Sequence, residues 1–394
     1  MTPLREIIRS TTVFSVSLSV LVALLLALAG PFLLRGVEPG LSFSFYANEQ
    51  PPQITDTYPD GGIISDRRDD LAPLHEEGWK VASFWRDSWQ YVIGSSGDFA
   101  EVRSPFLYRF VPSGIAYGIN QLFGGGSHTL LLAWQIMNVL AIAVTAGIVT
   151  FLGLRLFHAP PTLAIAAPAV MVASIPVAHT TGFVSVDPLS MMWVALICLA
   201  LYRHSHGLFI VAAVAGTLTK EVLAIAALPW LLATIRQLRD TRRVWPAVGG
   251  MITAATPVAT FLSVRAALGG SAVEVNFGFN PLAGEFPSYW ERFTSITGVI
   301  TFGLAVFFAW TLLWVGIFGT RRPVWLRDWS WSLFLGLLIS IALLSGRVTR
   351  TMAPMGPMLA LGVMPLLQKL DRRHRNTHPK PPTSAADPVE KPPV

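Results

Sequence analysis

The chain of 394 residues contains one cysteine, Cys198, and only 13% of its residues are charged. A lone cysteine excludes a disulfide framework and a thiolate metal cluster. Cys198 lies in the apolar run MMWVALICLAL, where a thiolate is disfavoured, so a cysteine nucleophile is a poor reading. Soluble domains carry about a quarter of their residues as charges. With 52% apolar residues and a mean hydropathy of +0.53, the shortage of charge points to a polytopic membrane protein. Such a chain must be helical or a closed barrel. Its long uncharged runs of leucine, alanine and valine select helices, because a barrel shows short alternating segments instead. Also missing are an internal repeat, a glycine-rich phosphate loop, an HExxH and a GxSxG.

Among what is present, the stretch Trp85 to Pro112, WRDSWQYVIGSSGDFAEVRSPFLYRFVP, stands out. It gathers Asp87, Asp98, Glu101, Arg86, Arg103 and Arg109 with many aromatics between apolar spans. Two short helices could fold it into one compact site. It belongs to a long loop, residues 35–127, and loops of that length without a span of their own usually carry function. The first part of the loop, Gln50 to Asp70, is rich in proline, glycine and aspartate and reads as irregular. Then Leu74, Gly78, Val81, Trp85, Trp89 and Val92 recur at helical spacing, as do Phe106, Phe110, Ile115, Ile119 and Leu122. Two amphipathic helices rich in tryptophan and arginine suit the membrane interface; the plainer alternative is that they only pack.

Arg5 and Arg9 precede an uncharged run, Thr11 to Leu34, long enough to cross a bilayer. It outlasts the signal-peptidase-like Ala27-Leu28-Ala29, so it reads as an anchor rather than a cleaved leader. Further apolar runs follow at residues 129–156, 161–178, 188–202, 208–218, 222–235, 244–268, 293–318, 330–344 and 352–367. The pair Lys220-Glu221 decides the count. As one helix, residues 208–235 would carry charges mid-membrane; as two short helices meeting at Lys220, they form broken spans lining a cavity. The second reading gives an all-α protein of about ten transmembrane helices. It also puts Arg5, Arg9, Arg155, Arg203, the cluster Arg236, Arg239, Arg242 and Arg243, and Arg321, Arg322 and Arg327 on the inner side. Both termini are then cytoplasmic, residues 35–127 are external, residues 1–368 form the membrane domain, and residues 369–394, polar and proline-rich, form a disordered tail. The arginine cluster reads as an orientation signal rather than a nucleic-acid site.

Ionisable groups at the membrane boundary are costly and mark function by default. Neighbouring residues on a helix point about 100° apart, so Lys220 and Glu221 cannot simply neutralise one another and each needs another partner. Snorkelling helix ends are the alternative. Asp187, ahead of Pro188, reads first as a helix N-cap that could also face the site. Arg347 and Arg350, three apart at an external end, violate the inside bias and fit a phosphate, or else a lipid headgroup. His179 is external and could join the site, while His204 and His206 read as headgroup neighbours.

Together, Asp87, the SPFLYRFVP segment, the SVDPLSMM span start, the GTLTKEVLAIAALP helix pair and the late arginine pair resemble bacterial polytopic glycosyltransferases of the GT-C superfamily. The resemblance runs from the first span to Leu367 and is strongest at the tyrosine-arginine-proline and threonine-lysine-glutamate segments. It implies an enzyme of the bacterial plasma membrane that moves a sugar, with inversion, from a polyprenyl-phosphate donor to a glycan or lipid acceptor on the external face. Asp87 would be the general base, with Asp98, Asp56 and Asp60 as rivals. Arg347 and Arg350 would bind the lipid phosphate, and Tyr108, Arg109, Asp187, Lys220 and Glu221 would line the donor or acceptor pocket. There is no large soluble domain after the last span, which favours a lipid-linked glycan acceptor. Nor is there an acidic pair close behind the first span, which leaves a divalent cation an open question. A multi-pass transporter or lipid flippase, or a non-catalytic scaffold of an envelope-assembly complex, are the competing readings.

Overall fold

The computed structural model describes residues 10–29, 86–97, 99, 102, 106–125, 127–173, 177, 184–268, 353–362, 364 and 368, and of residues 86–90, 127, 128, 131 and 353 the backbone alone. These residues are helical with no strand among them. In chain order the helices are α1 Ser10–Ala29, α2 Arg86–Ser95, α3 Phe110–Leu122, α4 Ser127–Leu156, α5 Pro161–Ala173, α6 Asp187–Arg203, α7 His206–Thr217, α8 Ala227–Thr241 and α9 Val244–Leu268. Short 3-10 segments stand at Phe106–Tyr108, Glu221–Ala226 and Ala353–Met355, the last leading into helical residues 356–362. The expected spans at 293–318 and 330–344 lie outside the described residues.

Four helical stretches are long and apolar enough to cross a membrane: Ser10–Ala29, Leu132–Leu156, Glu221–Thr241 and Val244–Leu268. Several apolar helices therefore fit a membrane protein. Their outer faces agree, since Leu132, Leu140, Val144, Val211, Val258 and Leu262 are exposed, and apolar side chains exposed along successive helices suit lipid better than water. Inside, alanine, glycine and hydroxyl residues bring helices close, as in membrane bundles generally. Thr150 donates to Ser19 at 2.7 Å, joining α4 to α1, and reaches the Ala164 carbonyl of α5 at 3.1 Å.

Helix α6 runs one way and α7 returns after a two-residue turn whose His204 has φ +50°. The chain then reverses again beyond α7. Leu223 packs on Gly216, and Trp230 stacks on Phe209 with ring centroids 4.3 Å apart, so Glu221–Ala226 and α8 fold back along α7. The break at Lys220 expected from the sequence is present: α7 ends at Thr217 and helical structure restarts at Glu221. The result is a bundle with two unlike ends. Arg155, Arg203, Arg236, Arg239, Arg242 and Arg243 fall at the ends of α4, α6 and α8, away from Lys220.

α8 and α9 form a helical hairpin held by a close approach, because a Cβ on Gly250 would collide with the side chain of Thr234. Gly250→Ala should therefore destabilise the protein by about 1–3 kcal/mol through overpacking. Thermal unfolding of the detergent-solubilised variant is the check, and an unchanged midpoint would contradict the packing described.

Candidate functional site

The amphipathic pattern over 106–122 predicts one helix, but the structure interrupts it at Arg109. The reason is Pro112. In a continuous helix its ring would collide with the carbonyl of Tyr108, four residues earlier, and it has no N–H to donate. Pro112 therefore sits in the first turn of α3, behind a separate 3-10 turn. Arg109 stands between the two and is free to reach across the bundle. The next backbone group but one does the same: the Val111 N–H donates to the Leu218 carbonyl at 3.4 Å.

Arg109 meets Glu221 edge on. Its Nε donates to Oε2 at 2.6 Å and Nη2 to Oε1 at 2.5 Å, the bidentate geometry that makes arginine–carboxylate pairs strong. Nη1 donates to the Tyr91 hydroxyl at 3.0 Å, and the guanidinium lies over the Phe106 ring, 5.4 Å from its centroid. Burial acts to lower the pKa of Arg109, but the Glu221 carboxylate and then Tyr91 overcome it and hold the group well above its usual value. Arg109 is a fixed cation.

Tyr91 is itself locked. Phe106 meets it edge to face at 5.4 Å, the Ser95 hydroxyl donates to its carbonyl at 2.5 Å, and Trp134 of α4 donates to Ser95 at 3.1 Å. Tyr91→Phe should cost about 1.5–3 kcal/mol, the range for hydrogen bonds to charged groups. Denaturant midpoints in detergent would show it; coincident curves would mean the hydroxyl contributes nothing.

The second ion pair is drier. Lys220 Nζ donates to Asp187 Oδ1 at 2.9 Å, with side chains 13% and 1% exposed, against 14% and 26% for Arg109 and Glu221. Ser185 Oγ donates to Asp187 Oδ2 at 3.1 Å. The N-cap reading of Asp187 is corrected here. Asp187 is the first helical residue, Val186 occupies the cap without a side-chain bond, and the carboxylate is spent on Lys220 and Ser185. An adjacent strong cation outcompeted the local backbone. The strap between α7 and Glu221 is pinned a third time by Trp193, whose Nε1 donates to Thr219 Oγ1 at 2.9 Å.

Four of the predicted site residues, Arg109, Asp187, Lys220 and Glu221, thus converge as two ion pairs at one end of the bundle, and Tyr108 lies half-buried in the turn before Arg109. Neighbouring Lys220 and Glu221 do take separate partners. Asp87 lies in the first turn of α2, one helical turn before Tyr91 on the same face; its side chain is outside the description. Asp56, Asp60, Asp98, His179, Arg347 and Arg350 are outside the described residues. Sequence reasoning missed Tyr91, Ser185, Trp193 and Thr219; the i, i+4 spacing of Asp87 and Tyr91 was the available signal for the first. Among the described residues no three His, Cys, Asp or Glu side chains come together as a metal site. Searches against protein-family models, curated proteins and solved structures find no match to this chain.

Proposed function

We propose that the protein is a membrane glycosyltransferase that moves a sugar from a polyprenyl-phosphate donor to a lipid-linked or envelope glycan acceptor. The observation that carries the reading is the clustering of two ion pairs, from three separated stretches of chain, at one end of an apolar bundle, with Asp87 one turn from the Tyr91 that accepts a hydrogen bond from Arg109. Ion pairs are expensive in such surroundings and mark function by default. The contacts made by Arg109 use three of its five N–H groups, and the other two suit an anionic donor. In this reaction Asp87 takes the proton of an acceptor hydroxyl while that oxygen bonds to the anomeric carbon. The bond from that carbon to the phosphate oxygen breaks, and the polyprenyl phosphate leaves with the electron pair. Arg347 and Arg350 stabilise the departing charge. In support, Arg350 precedes the Ala353–Met355 turn by three residues, and Gly356 just beyond that turn packs on Met191 in the first turns of α6, the Asp187 end.

The arginine-rich end is then cytoplasmic by the positive-inside bias, and the ion pairs lie on the external face of a bacterial plasma membrane. About ten spans, cytoplasmic termini and inversion belong to the same proposal. One observation favours a second reading. The break at Lys220, between the short apolar α7 and the membrane-length stretch Glu221–Thr241, is also a transporter device. Labelled polyprenyl-phosphate sugar supplied to membranes containing the intact protein separates the two readings. The enzyme makes a new glycosidic product, whereas a transporter moves label across the membrane in step with an ion gradient and makes none.

A further inference from the structure

We infer that the joint between α8 and α9, at the opposite end from the ion pairs, is a binding surface for the headgroups of acidic phospholipids. Arg236, Arg239, Arg242 and Arg243 are all exposed there, and Asp240 is the one acidic residue among positions 236–243. Val244 and Trp245 follow at once, 64% and 85% exposed. An indole this exposed, next to arginines and at the meeting point of two membrane-length helices, suits the headgroup layer, where its ring is apolar and its N–H is wet.

The surface is also preformed. α8 closes on Arg242 with φ +55°, the Arg243 N–H donates to Thr241 Oγ1 at 3.3 Å, and Gly250 against Thr234 holds the two helices together close behind the turn. The guanidiniums are thus presented on a short rigid turn. Guanidinium forks match phosphate oxygens bidentately, which an ammonium does not. One carboxylate cannot neutralise the guanidiniums of Arg239, Arg242 and Arg243, so the surface keeps a net positive charge, and a lipid with net negative charge is favoured over a zwitterion carrying the same phosphate. Arg203 and His204, exposed on the neighbouring α6–α7 turn, belong to the same basic end.

The test uses the intact protein in nanodiscs made from equal amounts of phosphatidylglycerol and phosphatidylcholine, followed by release into detergent and counting of the retained lipids by native mass spectrometry. This readout does not depend on how the protein inserts in a cell. Wild type should retain phosphatidylglycerol in preference. Arg242→Gln and Arg243→Gln should each lower that preference by about fivefold, the factor expected for one basic residue at a charged membrane surface. The triple variant with Arg239→Gln should abolish it, while helix content stays unchanged. Trp245→Ala should reduce retention of both lipids and leave the preference standing. Raising ionic strength to about 1 M, where the screening length is about 3 Å, should erase the preference. Equal retention of the two lipids by wild type, or an undiminished preference in the triple variant, overturns the proposal.

Discussion

Lys220→Met lowers the stability of the protein by about 3–5 kcal/mol, the cost of stripping one partner from a buried ion pair. The Asp187 carboxylate is 1% exposed, and the Lys220 ammonium contacts it at 2.9 Å. Without the ammonium the carboxylate loses an opposite full charge, which the hydroxyl of Ser185 cannot replace. The same logic predicts partial rescue. Lys220→Met combined with Asp187→Leu removes both charges and should recover most of the loss, because a well-packed apolar pair often matches a buried ion pair. Unfolding in mixed micelles, read by circular dichroism for the wild type, both single variants and the double variant, gives the coupling directly. A Lys220→Met variant as stable as wild type would show that the pair is not the anchor of the strap. Arg109 and Glu221 are more exposed, so breaking that pair should cost less.

The larger functional effect is expected at Asp87. Removing a general base costs about 10²–10⁴-fold in rate, so Asp87→Asn should reduce sugar transfer by that factor while protein level and helix content hold. The expectation rests on register. Asp87 and Tyr91 occupy one face of α2, and Tyr91 is tied to Arg109 and through it to Glu221. Asparagine keeps the size and hydrogen bonding of the side chain but cannot accept the proton. If Asp87→Asn retained full activity, the base would have to be sought at Asp98, Asp56 or Asp60.

Much of the architecture was legible in the sequence because membrane burial leaves a coarse signal. The run 244–268 is helix α9 residue for residue, and the runs beginning at 129, 188 and 208 became α4, α6 and α7 within two residues at either end. The split at Lys220 was legible for the same reason, since two adjacent charges cannot be passed through lipid on one helix. What could not be read was pairing. Lys220 and Asp187 are 33 positions apart, and Arg109 and Glu221 are 112 apart; spacing says nothing about contacts of that range. Asp187 was misread as a cap because the local pattern, an acid before proline, is the same whether the carboxylate turns to the backbone or to a distant cation. At Arg109 the local signal existed and was overlooked: Pro112 forbids the continuous helix that the apolar spacing of 106–122 suggests.

Sugar transfer itself tests the central claim most directly. Membranes carrying the intact wild-type protein, given labelled polyprenyl-phosphate sugars and a lipid-linked glycan acceptor, should place label in a new glycosidic bond of inverted configuration, and membranes carrying Asp87→Asn should not. If no carrier in the series yields product with wild type, while label crosses the membrane under an ion gradient, the glycosyltransferase account is contradicted, and the two ion pairs belong to a transport path.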